Sequence, residues 1–184
     1  MTELTARGAA ADEFDAARGA MWDLITGYRN SQVARVAAAL SLAEHCADGP
    51  VTAAEIARLE SADVTATTRF LRLCAAIGLV ERADGGTFAA TPLLAALHKD
   101  APGSLRGFAL SLPGQGHWLP WGQLLEAVQT GRHQAPTALG QDLFEYYATE
   151  PAEAAAFTEG LTGMTAVAGA EAARVIDTSG TDTA

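Results

Sequence analysis

Thr52-Ala53-Ala54-Glu55-Ile56-Ala57, then Phe70-Leu71-Arg72-Leu73-Cys74, Ile77-Gly78-Leu79-Val80 and Asp84-Gly85-Gly86-Thr87-Phe88-Ala89-Ala90 decide the fold. Thr52 followed by Glu55 three residues on is a capping box, so a short helix starts here with Ile56 and Leu59 facing inward. The spacing of Phe70, Leu73, Cys74 and Ile77 predicts a second helix over 65–77 with these four as its inner stripe, and Gly78 as its stop. Leu79–Arg82 and Thr87–Ala90 flank Asp84-Gly85-Gly86, a turn suited to positive φ, and so read as a hairpin. Helix, turn, helix and hairpin in this order is the pattern of a winged helix, and the hairpin is the only β-structure the sequence predicts.

Upstream, Phe14, Ala17, Met21, Leu24 and Tyr28 recur three and four apart, a seam for packing against another helix. Two heptads do not hold a coiled coil alone, so the seam needs a partner. Gly19 weakens this helix, Gly27 helps to end it, and Ser31 caps the next one. That next helix carries Val33, Val36, Ala37 and Leu40 on one face and alanines around much of the rest, a pattern of burial on several sides. Downstream, Pro92 opens a short helix and residues 104–112 form another. Residues 113–117 read as a loop, 119–130 as a helix and 132–141 as irregular. Asp142 caps a helix bearing Leu143, Phe144, Tyr146 and Tyr147. A last helix restarts at Pro151, is loosened by Gly160 and Gly163, and reaches Ile176. The fold class expected is mainly α. Residues 1–11 are expected as a flexible tail, 12–100 as the helical and winged-helix unit, and 101–176 as a helical lid and linker region.

With 184 residues, 49% apolar and 18% charged, the chain is an ordered globular protein with enough surface to bury for a real core. The net charge of −10 opposes nucleic acid and anionic lipid, and the 12 Lys and Arg residues are scattered along the sequence. Cys46 and Cys74 each lie within an apolar helical pattern, which fits a reducing compartment. The first residues lack the apolar run of a secretory signal and no stretch reaches the ~18 apolar residues of a membrane span, so the expectation is cytoplasmic.

A DNA-reading winged helix needs outward cations or amides, whereas the 65–77 helix offers Arg69 and Arg72, and the hairpin tip at Asp84 is acidic. Contact with protein is therefore favoured over contact with DNA. Gly114-Gln115-Gly116 has two glycines of a dinucleotide loop, but Leu119 stands where the third belongs and no strand precedes it. His45, His98, His117 and His133 lie far apart, in no metal-ligand spacing. Trp118, Trp121, Phe144, Tyr146, Tyr147 and Phe157 cluster in the second half, with Leu161 and Met164 following at helical spacing from Phe157. Such side chains serve a core, and equally a pocket for an aromatic ligand to which Met164 adapts.

Taken together, the winged-helix residues, Thr91-Pro92-Leu93, His117-Trp118 with Trp121, Thr130-Gly131, Asp142-Leu143-Phe144-Glu145-Tyr146, Glu150-Pro151 and Phe157 resemble, in order and spacing, one known family. It is the N-terminal half of the S-adenosylmethionine-dependent small-molecule O-methyltransferases, the group shared by plant phenolic and bacterial polyketide-tailoring enzymes. The resemblance covers residues 12–184. It implies a helical dimerisation domain containing a winged helix, a homodimer built on the 14–28 seam and the 33–42 helix, and a roof over an aromatic or polyketide-like acceptor. It implies Trp118, Tyr146, Phe157, Leu161 and Met164 as substrate-binding residues. In the family, the turn at Asp177-Thr178-Ser179-Gly180 leads into the glycine-rich cofactor loop, with the catalytic histidine and the ribose-binding acid later still. The resemblance therefore implies no catalytic, cofactor-binding or metal residue in this chain. S-adenosylmethionine would belong to the parent enzyme or to a separate chain, and these 184 residues alone would be inactive. Alternative readings are a winged-helix transcriptional regulator and a non-catalytic module that pairs with intact methyltransferases. A parent that has drifted to decarboxylation or hydroxylation also fits the resemblance.

Overall fold

The computed structural model describes residues 2–175. Eleven α-helices are described: α1 (Thr2–Ala39), α2 (Leu42–His45), α3 (Ala53–Leu59), α4 (Val64–Ala76), α5 (Pro92–Ala95), α6 (Arg106–Ser111), α7 (Gln115–Trp121), α8 (Leu124–Thr130), α9 (Ala135–Leu139), α10 (Leu143–Thr149) and α11 (Pro151–Val175). Strands β1 (Val80–Arg82) and β2 (Phe88–Ala90) form one antiparallel pair in the register Val80↔Ala90, Glu81↔Ala89 and Arg82↔Phe88. The architecture is mainly α with one short hairpin, as the sequence predicts.

The winged helix forms where local chemistry specifies it. Thr52 Oγ1 accepts from Glu55 N at 3.1 Å and opens α3. Asp63 Oδ1 accepts from Ala66 N at 2.7 Å and opens α4. Gly85 (φ 70°) and Gly86 (φ 77°) turn the chain between the strands, a conformation that costs a residue with a Cβ more than glycine. Val51 adds a bridge that the sequence pattern does not signal: its N–H donates to Phe88 O at 2.9 Å and Phe88 N–H donates back at 2.8 Å. This third strip of backbone ties the start of α3 to the hairpin.

The core sits between these elements and the end of α1, around Val33, Ala37, Leu42, Ile56, Leu71 and Leu94. Its faces differ from the expected ones in detail. On α4 the buried residues are Thr67, Leu71 and Cys74, spaced four and three apart, while Leu73 is 47% exposed and Phe70 and Ile77 are only partly covered. On α3, Ile56 is fully buried but Leu59 is 47% exposed. In both cases the apolar pattern is broader than the buried stripe, and packing against α1 and the hairpin selects which part goes inside.

Helix α1 also departs from expectation. It is one helix from Thr2 to Ala39, with no break at Gly27 and no new start at Ser31. Residues 2–11, read as a tail, are its first turns. From residue 12 onward its buried residues are Val33, Ala37 and Ala38, near its end, while Val36 is exposed and residues 12–25 are all exposed. Gln32 Nε2 donates to Pro113 O at 3.0 Å and Arg35 Nε to Leu110 O at 3.2 Å, fastening that end to the second half of the chain.

In the second half, the expected loop at 113–117 is already helical from Gln115. The expected 119–130 helix is two helices, α7 and α8, and α9 occupies part of the expected irregular stretch. The first division falls at Gly122 and Gln123, where the ladder tightens and Gln123 N donates to Pro120 O, three residues back, at 3.0 Å. Asp142 caps α10 with a complete box: Oδ1 accepts from Phe144 N and Glu145 N, and Asp142 N donates to Glu145 Oε2. Gly160 does not loosen α11; it lets α6 cross closely. A Cβ at Gly107 would meet Ala156 O and Gly160 N at 2.4 Å, and one at Gly160 would meet the Phe108 ring. Ile176 and the expected turn at 177–184 lie outside the described residues.

Candidate functional site

The α6–α11 crossing sets Phe108 edge-on to Phe157, with ring centroids 6.3 Å apart. Phe157 then carries a chain of aromatic contacts. His117 of α7 lies 5.4 Å from it and Tyr147 of α10 lies 5.5 Å from it, centroid to centroid. Tyr146 follows at 6.0 Å from Tyr147. Such tilted pairs gain beyond area burial because ring edges meet ring faces.

Glu153, on the first turns of α11, holds this group in register. Its Oε1 accepts from Gly116 N at 2.9 Å and its Oε2 accepts from the Tyr146 hydroxyl at 3.2 Å. One carboxylate thus fastens α7 and α10 to α11. The close approach also explains Gly116, where a Cβ would fall 2.8 Å from Glu153 Oε1 and from the Tyr146 ring. A cleft of ≈ 470 Å³ opens beside it, between Arg35, Gln115, Tyr146, Glu150 and Glu153.

Burial disfavours the charged forms of His117, Tyr146 and Tyr147. Burial lowers the His117 pKa from 6.5, against a smaller upward pull from Glu153. Burial, with help from Glu153 and Tyr146, pushes the Tyr147 phenol up to about 12. Burial likewise raises Tyr146, with the Glu153 charge and its hydrogen bond adding to it. The Tyr147 hydroxyl lies 3.3 Å from His117 Nδ1, so a neutral imidazole unprotonated at Nδ1 accepts the phenol proton in a hydrogen bond. The arrangement sets aromatic faces beside the Tyr147–His117 pair and the Glu153 carboxylate.

The five sequence-predicted substrate residues are not all gathered in this cluster. Tyr146 and Phe157 are joined through Tyr147. Leu161 and Met164 continue the Phe157 row along α11, at four and seven residues on, and both are exposed. Trp118 points elsewhere: its ring lies 6.2 Å from Tyr28 of α1, which links the seam helix to α7. Tyr147 belongs to the aromatic group that the sequence singles out, whereas the roles of His117 and Glu153 are not read there; adjacency to Trp118 is the signal for His117, and nothing in the sequence marks Glu153.

Among the described residues no group of His, Cys, Asp and Glu has a metal-binding arrangement, and no helix is long and apolar enough to cross a membrane. Their one sheet is the antiparallel hairpin, with no parallel strand leading into a glycine-rich turn.

The O-methyltransferase dimerisation domain matches residues 22–100. The phenazine O-methyltransferase PhzM of Lysobacter antibioticus is 34% identical over 142 residues, covering 77% of this chain and 41% of the relative. The crystal structure of LaPhzM superposes with a TM-score of 0.75 at 32% identity, over 81% of this chain and 45% of that one. Human N-acetylserotonin methyltransferase in complex with SAM superposes with a TM-score of 0.76 at 25% identity, over 88% of this chain and 49% of that one. The chain spans about two fifths of the length of the curated relatives it matches.

Proposed function

Because this chain belongs to the O-methyltransferase family through its dimerisation domain, we propose that it is the dimerisation and substrate-lid part of an S-adenosylmethionine-dependent O-methyltransferase. The acceptor is a small molecule of aromatic or polyketide-like type. Methyl transfer in the whole enzyme moves the sulfonium methyl to a deprotonated hydroxyl, with the donor held by polypeptide outside these 184 residues. This chain contributes pairing and positioning, and placing the reacting groups supplies much of such a rate.

The observation that carries the reading is the division of labour along α1. Phe14, Met21, Trp22, Leu24 and Ile25 are each more than half exposed, within a stretch of α1, residues 12–25, that is exposed throughout. An isolated helix of this kind is marginal in water, and so large an apolar stripe needs cover. A second copy supplies both, as a homodimer. Where α1 meets the body, Tyr28 touches Trp118, so pairing reaches the α7 wall of the aromatic cluster. Phe157, Leu161 and Met164 form the row of α11 offered to the acceptor, Tyr146 frames it from the cleft side, and Trp118 stands at the junction with α1.

Methyl-labelled Met164 gives a direct test, with 2-naphthol as the probe in a titration followed by NMR. The reading expects saturable perturbation of Met164 that is lost in Phe157→Ala, and no calorimetric heat with S-adenosylmethionine. An unperturbed Met164, or saturable micromolar binding of S-adenosylmethionine by this chain alone, contradicts it.

A further inference from the structure

Away from the aromatic cluster, α4 and the hairpin enclose a cleft of ≈ 250 Å³. Arg72 of α4 and Arg82 of β1 stand on its walls, with Thr68, Thr87 and the buried Phe88 between them. The same two arginines also border the adjoining depression, which contains Glu81. Both are exposed.

The two guanidinium groups are uncommitted. The ion pairs among the described residues are Arg18–Asp15, His45–Glu60 and Arg106–Glu159, none of which involves them. Arg35 and Arg106, by contrast, spend their side chains on bonds to Leu110 O and Glu159 Oε2. In a chain with 22 acidic and 12 basic residues, a carboxylate is the commonest available neighbour for a cation. Arg72 and Arg82 share one cleft with no ion pair for either among the described residues. The threonine hydroxyls do not compete as donors, because Thr68 Oγ1 donates to Val64 O at 2.8 Å and Thr87 Oγ1 to Asp84 O at 2.7 Å. An arginine head group is a planar fork of N–H donors, the geometry that matches tetrahedral oxyanions bidentately, and two arginines line this cleft.

We propose that the cleft between α4 and the hairpin is a binding site for a small phosphate-bearing ligand, held by Arg72 and Arg82. A compact dianion fits better than an extended polyanion. The net charge of −10 and the acidic side chains of Glu81 and Asp84 on the hairpin repel a nucleic-acid backbone beyond the two arginines. This site is independent of the aromatic cluster and of methyl transfer.

The test is an amide NMR titration of the 184-residue protein with inorganic phosphate, at ionic strength held constant with sodium chloride. The expected result is saturable shifts of Thr68, Arg72, Ala83 and Thr87 in the millimolar range. Each of Arg72→Gln and Arg82→Gln weakens them about tenfold, the loss of one charge-assisted bidentate contact, while Arg72→Lys weakens them less. Shifts that chloride alone reproduces, or that survive in the double glutamine variant, overturn the proposal. Tighter binding of a short DNA duplex than of phosphate at the same amides also overturns it, by assigning the arginines to a nucleic-acid backbone.

Discussion

Alanine at position 107 puts a methyl group where α11 already is. The added Cβ would lie 2.4 Å from Ala156 O and from Gly160 N, and 3.0 Å from the Glu159 carbonyl carbon. All three are backbone atoms of a 25-residue helix and cannot rotate away. Alanine for glycine inside a helix is worth up to about 1 kcal/mol in propensity. Overpacking costs about 1–3 kcal/mol, and a rigid neighbour places the cost toward the upper end. The net expectation for Gly107→Ala is a loss of about 1–2 kcal/mol, which lowers the melting temperature by roughly 2–8 °C in a chain of this size. Gly169→Ala, on α11, is the control, since a Cβ there meets nothing within 4 Å. It should keep the propensity gain. Thermal melts followed by circular dichroism compare the two, and near-ultraviolet signal reports the Phe108–Phe157 contact that the crossing positions. A Gly107→Ala protein that melts at or above the parent temperature refutes the close-crossing argument.

Three further outcomes follow from the site and the core. Glu153→Ala leaves Gly116 N and the Tyr146 hydroxyl without their acceptor, and should cost about 1–2 kcal/mol in a urea titration; an unchanged midpoint would mean that α7 and α10 are held by other contacts. Burial raises Cys46 to about 11 and Cys74 to about 12, so neither thiol should react with an aromatic disulfide at pH 8 until the chain unfolds; rapid labelling of the native protein would place them at the surface. The pH profile of stability should fall on both flanks. Cys46, Cys74 and Tyr147 keep their protons in the fold after the unfolded chain begins to lose them near 9.0 and 10.0, so stability drops as pH rises from about 9 towards 12. His117 resists protonation in the fold, so stability also drops as pH falls below 6.5. Urea midpoints measured across pH 5–11 give both slopes, and a flat profile would contradict the burial of these groups.

The winged helix was legible because its signals are local. A capping threonine, a glycine stop and a diglycine turn each act within a few residues, and all three stand in the structure as read. Burial was less legible because it is decided by partners. Leu73 and Leu59 fit an apolar stripe as well as Leu71 and Ile56 do, and only the position of α1 and the hairpin separates them. Gly27 and Ser31 carry a break signal that the continuous α1 overrides, because the run of good helix formers on either side outweighs one glycine. At the site, Phe157 and Tyr146 could be picked out as aromatic, whereas Glu153 could not. Its role comes from a backbone amide 37 residues away, a relation that no spacing rule encodes. Gly160 was misread for the same reason: a glycine that weakens a lone helix is what permits a second helix to cross it.

Whether two copies pair along α1 is settled most directly by multi-angle light scattering on the 184-residue protein at micromolar concentration. Pairing gives twice the 19.0 kDa chain mass, returning to the single-chain value in Leu24→Glu. A parent protein that elutes with the mass of one chain, its apolar α1 stripe bare, would contradict the dimerisation role on which the functional assignment rests.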